Sequence, residues 1–222
     1  MTHERGDRGD RSRPRYERES HGLEFDRVAF FSDAVFAIAM TLLVVGIGIP
    51  TVSDSRLGDA LRDKRPEIIS FFISFVVIGN YWLGHHQFFS RLRAVSARLM
   101  TLNLVYLAAI AFVPFPTALA GKYTEEPVSI VMYAITLSVA SGLEAVMFVV
   151  AHREGLFRIA IPRDVVRFTV VATVVPVAVF LGSIPVAFVS TTTALYTWLL
   201  IFPLEYLVDV ALKPDGADDA LA

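Results

Sequence analysis

RVAFFSDAVFAIAMTLLVVGIGIP, residues 27–50, decides how the rest of the chain is read. About 20 apolar residues, rising about 1.5 Å each, cross the hydrocarbon core of a bilayer as a helix, and this stretch has that length and character. It opens on polar groups, Arg27, Ser32 and Asp33, and carries Thr41 further along. Such groups are costly in lipid unless they face protein or water. Steps of three and four residues place Ala34, Ile38, Thr41, Leu42 and Val45 on one side, a narrow stripe of small, branched and hydroxyl side chains. Two readings fit: a pore-lining helix, or an ordinary membrane helix in which Asp33 pairs with Arg27 and Thr41 bonds back to its own backbone.

The whole chain supports a membrane setting. Of its 222 residues 55% are hydrophobic and 12% aromatic, and the mean hydropathy of +0.56 is too high for one soluble domain of this size. The lack of cysteine excludes disulfides, thiolate metal sites and thiol catalysis. Six arginines in the first 20 residues, with no apolar run among them, exclude a signal peptide there. The expected organisation is a disordered basic tail over 1–24, a six-helix transmembrane channel domain over 25–212 and a polar tail over 213–222. After the first span, 51–66 reads as a short interfacial helix or loop that Pro66 ends. Further spans are predicted near 67–89, 99–119, 128–150, 165–181 and 186–208, the last two separated by Gly182, Ser183, Ile184 and Pro185. The fold class is therefore an all-α, multi-pass integral membrane protein. The tail and the loops at 90–98 and 151–167 hold most of the basic residues and fall on one side of six spans, so both termini are expected in the cytoplasm.

That topology brings Arg27, Ser32 and Asp33 to the depth of Trp82, His85 and His86, where they could form one hydrogen-bonded knot. A histidine pair beside an aspartate could instead hold zinc, but adjacent histidines point about 100° apart on a helix and do not easily chelate one ion. No metal is expected. Glu144 reads as a buried hydrogen-bond partner in the bundle, and Glu205 with Asp209 as a solvated edge.

Arg27, Phe31-Ser32-Asp33, Ala37-Ile38 and Thr41-Leu42-Leu43 resemble the first-helix signature of the transmembrane protein 175 family, endosomal and lysosomal potassium channels with bacterial and archaeal relatives. Trp82, His85-His86, Phe88, Asn103 and Pro114-Phe115-Pro116-Thr117 are similar to that family's second and third helices. The resemblance implies a cell-membrane cation channel, one six-helix repeat per chain in prokaryotic members, assembled as a homotetramer around the first helices. It implies Ile38 as the hydrophobic constriction, Thr41 as a polar pore-lining residue, and Arg27, Ser32, Asp33, Trp82 and one of His85 or His86 as the supporting network. Leu42 and Val45 complete the expected pore face. Potassium would be the permeant ion, with no cofactor and no nucleic-acid partner.

The residues agree with modest selectivity. No Thr-Val-Gly-Tyr-Gly stretch exists to build a ring of backbone carbonyls, so selection falls to side chains on a helix. A small secondary transporter using Glu144 or Asp33 as proton carrier is the alternative, but the chain has no paired halves with matching interrupted spans. No Ser/His/Asp elbow, Walker loop or zincin spacing points to an enzyme.

Overall fold

The computed structural model describes the backbone of residues 15–214 and 216–217, and side chains from residue 25 onward. Helix α1 runs Arg15–Val45, a 3-10 turn occupies Asp54–Arg56, and α2 is Leu57–Asp63. Then follow α3 (Arg65–Ser90), α4 (Ala97–Phe112), α5 (Pro114–Lys122), α6 (Pro127–Arg153), α7 (Arg163–Ala187), α8 (Thr191–Thr197), a second 3-10 turn at Trp198–Leu200 and α9 (Ile201–Leu212). Among the described residues six spans are long and apolar enough to cross a membrane, with α4 and α5 forming one and α8 and α9 another.

Local chemistry sets these boundaries. Ser96 caps α4 by accepting the Leu99 amide at 3.1 Å, and Pro66, Pro114 and Pro127 stand in first turns, where a missing N–H costs nothing. Val113 keeps helical dihedrals between α4 and α5, so Pro114 joins two helical pieces of one span instead of ending it. Helix α6 ends at Gly155, whose φ of 64° lets the Leu156 amide reach back to the Ala151 carbonyl at 2.9 Å.

Two boundaries differ from the sequence reading. The tail expected over 1–24 lies outside the described residues up to 14, but from Arg15 the backbone is already helical. Glu17, Arg18, Glu19, Leu23 and Glu24 are good helix formers and extend a helix that the apolar span nucleates. Near the other end, the chain does not turn at Gly182–Pro185. Helix α7 carries both Pro176 and Pro185 in its interior and continues to Ala187. The turn falls at 188–190, where Ser190 accepts the Thr193 amide at 3.2 Å and caps α8. In the C-terminal tail, residues 215 and 218–222 lie outside the described residues, while Ala217 is buried.

Helix α6 is the centre of the bundle, with Ile130, Tyr133, Leu137, Met147 and Phe148 all buried. It packs against α4, α5, α7 and α8, while α1 lies on α3, α4 and α5. Trp198 fixes the last span to this centre: its indole donates to Ser183 Oγ at 2.9 Å and sits edge-on to Tyr133 and Phe180. At the end of α5, a Cβ on Gly121 would lie 2.8 Å from the Glu67 Cα. Backbone meets backbone there. Gly121→Ala is therefore expected to force α5 away from α3 and to cost about 1–3 kcal/mol of overpacking, read as a lower melting temperature of the purified protein. An unchanged midpoint would show that the two helices can separate freely.

Candidate functional site: the first helix and its support

Residues 32, 36, 39 and 43 recur at helical spacing, and Ser32, Phe36, Ala39 and Leu43 are all buried. Phe36 wedges between His85 and Tyr106, with ring centroids 5.4 and 6.1 Å away. The opposite side of α1 is left largely uncovered by the described residues. Ile38 is 58% exposed, Leu42 45% and Val45 72%, and Ala34 and Thr41 are exposed with them. The Thr41 hydroxyl donates to the Ile38 carbonyl at 2.8 Å, which leaves its oxygen lone pairs unused. Met40, about 160° round the helix from Ile38, is half-buried against the core.

The polar knot expected from Arg27, Ser32, Asp33, Trp82, His85 and His86 separates into parts. Asp33 Oδ1 accepts the Trp82 indole N–H at 2.8 Å. His85 Nε2 meets Asn103 Oδ1 at 2.8 Å, Asn103 Nδ2 donates to Ser32 Oγ at 3.0 Å, and Ser32 donates to the Val28 carbonyl at 2.9 Å. Because a carbonyl oxygen only accepts, His85 donates from Nε2, and every link in this relay has a donor and an acceptor. His85 is thus the histidine that joins the network. His86 is exposed and touches Trp82 only by ring contact, at 5.6 Å.

Arg27 stands apart. It makes no hydrogen bond or ion pair among the described residues, and the Arg27–Asp33 pair considered from the sequence does not form within the chain. Six residues place the two side chains about 120° apart around the helix and about 9 Å apart along it. Arg27 lines instead a groove with Val28, Phe31, Met100, Asn103 and Leu104. A second groove of about 170 Å³ opens beside Asp26, Asp33, His85 and His86. Among the described residues no three His, Asp or Glu side chains converge on a position for a metal ion.

Sequence reasoning missed a column of hydroxyls along the buried face of α3. Ser74 bonds Tyr133 of α6 at 2.6 Å and Thr117 of α5 at 2.8 Å, and Tyr81 bonds Ser141 of α6 at 2.7 Å. With His85 on the same face, α3 ties itself to α1, α4, α5 and α6 by polar contacts that lipid cannot replace. Tyr106 donates to Glu144 Oε1 at a long 3.5 Å, which gives Glu144 the buried partner expected of it. Glu205 is exposed, and Asp209 pairs with Lys213 at 3.4 Å.

The model of the endosomal/lysosomal potassium channel TMEM175 family matches residues 27–114, which contain the relay and the exposed stripe. A potassium channel of Streptomyces collinus is 44% identical over 104 residues, covering 46% of this chain and 50% of that protein. One of Chamaesiphon minutus is 35% identical over 133 residues, covering 59% of this chain and 64% of that one. The matched stretches therefore span about half to two thirds of those relatives' own lengths. The crystal structure of a lysosomal potassium-selective channel TMEM175 homolog from Chamaesiphon minutus superposes with a TM-score of 0.70 at 26% identity, over 86% of this chain and all of that one. With the motif order on α1, α3 and α4 matching that model and a fold shared with that homolog over most of its length, this multi-pass membrane chain is similar to the TMEM175 family.

Proposed function

We propose that this chain forms a potassium-permeable, leak-type cation channel in which the first helices of four copies surround the pore. One observation carries the reading: α1 buries Ser32, Phe36, Ala39 and Leu43 while Ile38, Thr41, Leu42 and Val45 remain uncovered on its far side. The relatives named potassium channels and the potassium-selective homolog of the same fold support the choice of ion.

In this reading Ile38 forms the constriction. A ring of branched apolar groups strips water from an ion without replacing it, so the pore resists ions by dewetting. Thr41 lies one turn further along, and its hydroxyl, already donating to the backbone, turns lone pairs toward a passing cation. The Ser32–Asn103–His85 relay and the Asp33–Trp82 bond hold α1 in register against α3 and α4, so that the stripe keeps its orientation. Both termini lie in the cytoplasm, in agreement with the basic loops at 90–98 and 151–167, which share one end of the bundle.

Potassium flux from purified protein in liposomes under a potassium gradient tests this. The reading predicts passive, uncoupled flux that dissipates the gradient. Flux that stops unless a second ion moves with it would replace the channel with a coupled transporter.

A further inference from the structure

The loops after α3 and α6 form a single platform. Leu92 and Phe157 pair as an isolated antiparallel bridge, with the Arg93 amide on the Leu156 carbonyl and the Arg158 amide on the Arg91 carbonyl, both at 2.9 Å. The side chains of Arg93 and Arg158 are spent on the same joint, donating to the Gly155 and Leu92 carbonyls at 3.0 Å. Five more arginines stand around it: Arg91 at the end of α3, Arg98 in the first turn of α4, Arg153 closing α6, and Arg163 and Arg167 opening α7. Among the described residues none of these five is in an ion pair, and the only carboxylates on the two loops and the opening of α7 are Glu154 and Asp164. Arg91 is half-buried, and desolvation pushes its guanidinium below its ordinary value, as expected for a cation with no anion beside it.

We propose that this platform binds the phosphate headgroups of anionic phospholipids in the leaflet it meets. Three features favour a lipid over a soluble polyanion. Arg163 and Arg167 are exposed, four residues apart and so on one face, at the start of a span that buries little besides Val165, Phe180, Ser183 and Ala187. Arg167, one turn into that span, has to extend its guanidinium outward to the headgroup layer. Ile159, 64% exposed on the platform itself, offers an apolar side chain to the same interface. The guanidinium fork suits phosphate oxygens, and the rigid joint presents the arginines without further ordering of the loops.

The test uses the full chain, released from nanodiscs of equal parts phosphatidylglycerol and phosphatidylcholine and weighed by native mass spectrometry. The wild type is expected to retain phosphatidylglycerol preferentially. Each basic residue near an anionic surface contributes about fivefold, so Arg153→Gln/Arg163→Gln/Arg167→Gln should lose about a hundredfold of that preference. The matching triple Lys variant should keep most of it and guards against a folding defect in the Gln variant. Arg56→Gln/Arg62→Gln, at the other end of the bundle, should change nothing. Equal retention of the two lipids by the wild type overturns the proposal. So does an unchanged preference in the Gln triple, or inorganic phosphate displacing the lipid at low millimolar concentration, which would mark a site for free anions.

Discussion

Ile38→Asn is expected to raise single-channel conductance several-fold and to flatten discrimination among potassium, sodium and caesium. If four Ile38 side chains close the narrowest ring, the barrier is lost hydration, and an amide returns part of it to the ion. An amide oxygen at the ring offers a ligand where the isoleucine offers none. Each 1.4 kcal/mol taken from that barrier is about tenfold in rate, so even partial rehydration is readily measured. Ile38→Ala should widen the ring and act in the same direction. Thr41→Val, which keeps the shape and removes the oxygen, should lower potassium preference with less effect on conductance. Met40 packs against the core, so Met40→Leu should alter neither. Single-channel records of these variants decide between them: equal sensitivity at Met40 and Ile38 would mean that a different face of α1 meets the ions.

Asn103→Leu is expected to be among the most destabilising single changes in the bundle. Asn103 is 1% exposed and bonds two side chains at once, so a leucine leaves the His85 Nε2–H buried with no acceptor. An orphaned buried donor costs about 1–3 kcal/mol, whereas the same shape with both partners apolar can be nearly neutral. His85 stacks on Phe89 at 4.3 Å and on Tyr106 at 5.5 Å, and a phenylalanine ring would keep those contacts. The double variant Asn103→Leu/His85→Phe should therefore recover most of the melting temperature that Asn103→Leu loses. A double variant no more stable than the single one would mean that the ring contacts or the Ser32 end of the relay, and not the unmet donor, set the cost. Asp33→Ala removes one bond, to Trp82, and should cost less than a broken buried ion pair would, because no such pair with Arg27 exists in the chain.

Hydropathy made the six spans legible, because a segment that crosses a bilayer as a helix satisfies its backbone bonds internally, must be apolar along its whole length, and has that length set by the bilayer's thickness. The last hairpin was misplaced for the same reason. Gly182 and Pro185 read as breakers in water, but within a packed membrane helix neighbouring groups satisfy what proline frees, and the chain runs on to Ala187. The true signal was the run Ser190-Thr191-Thr192-Thr193, a cap followed by hydroxyls, which is easily read as one more stretch of span. The relay was half legible: a lone asparagine in an apolar span has to find a partner. That its partners are His85 and Ser32, and not Asp33 or Arg27, depends on helix rotation that composition does not encode. Ser74, Thr117 and Ser141 were invisible because a Ser or Thr hydroxyl can satisfy itself on its own helix and so does not announce a tertiary contact, and Tyr81 and Tyr133 because a tyrosine in a span reads equally as an interface anchor.

Since the chain has no cysteine, single cysteines placed along α1 report the face that ions and water reach. Potassium currents recorded before and after a charged, membrane-impermeant thiol reagent test the central claim that the stripe lines the pore. Cysteines at 34, 38, 41 and 45 are expected to be modified and to change the current, while those at 36, 39 and 43 remain unreactive. Modification of 36, 39 and 43 with silence at 38, 41 and 45 would contradict it and assign the exposed stripe to lipid.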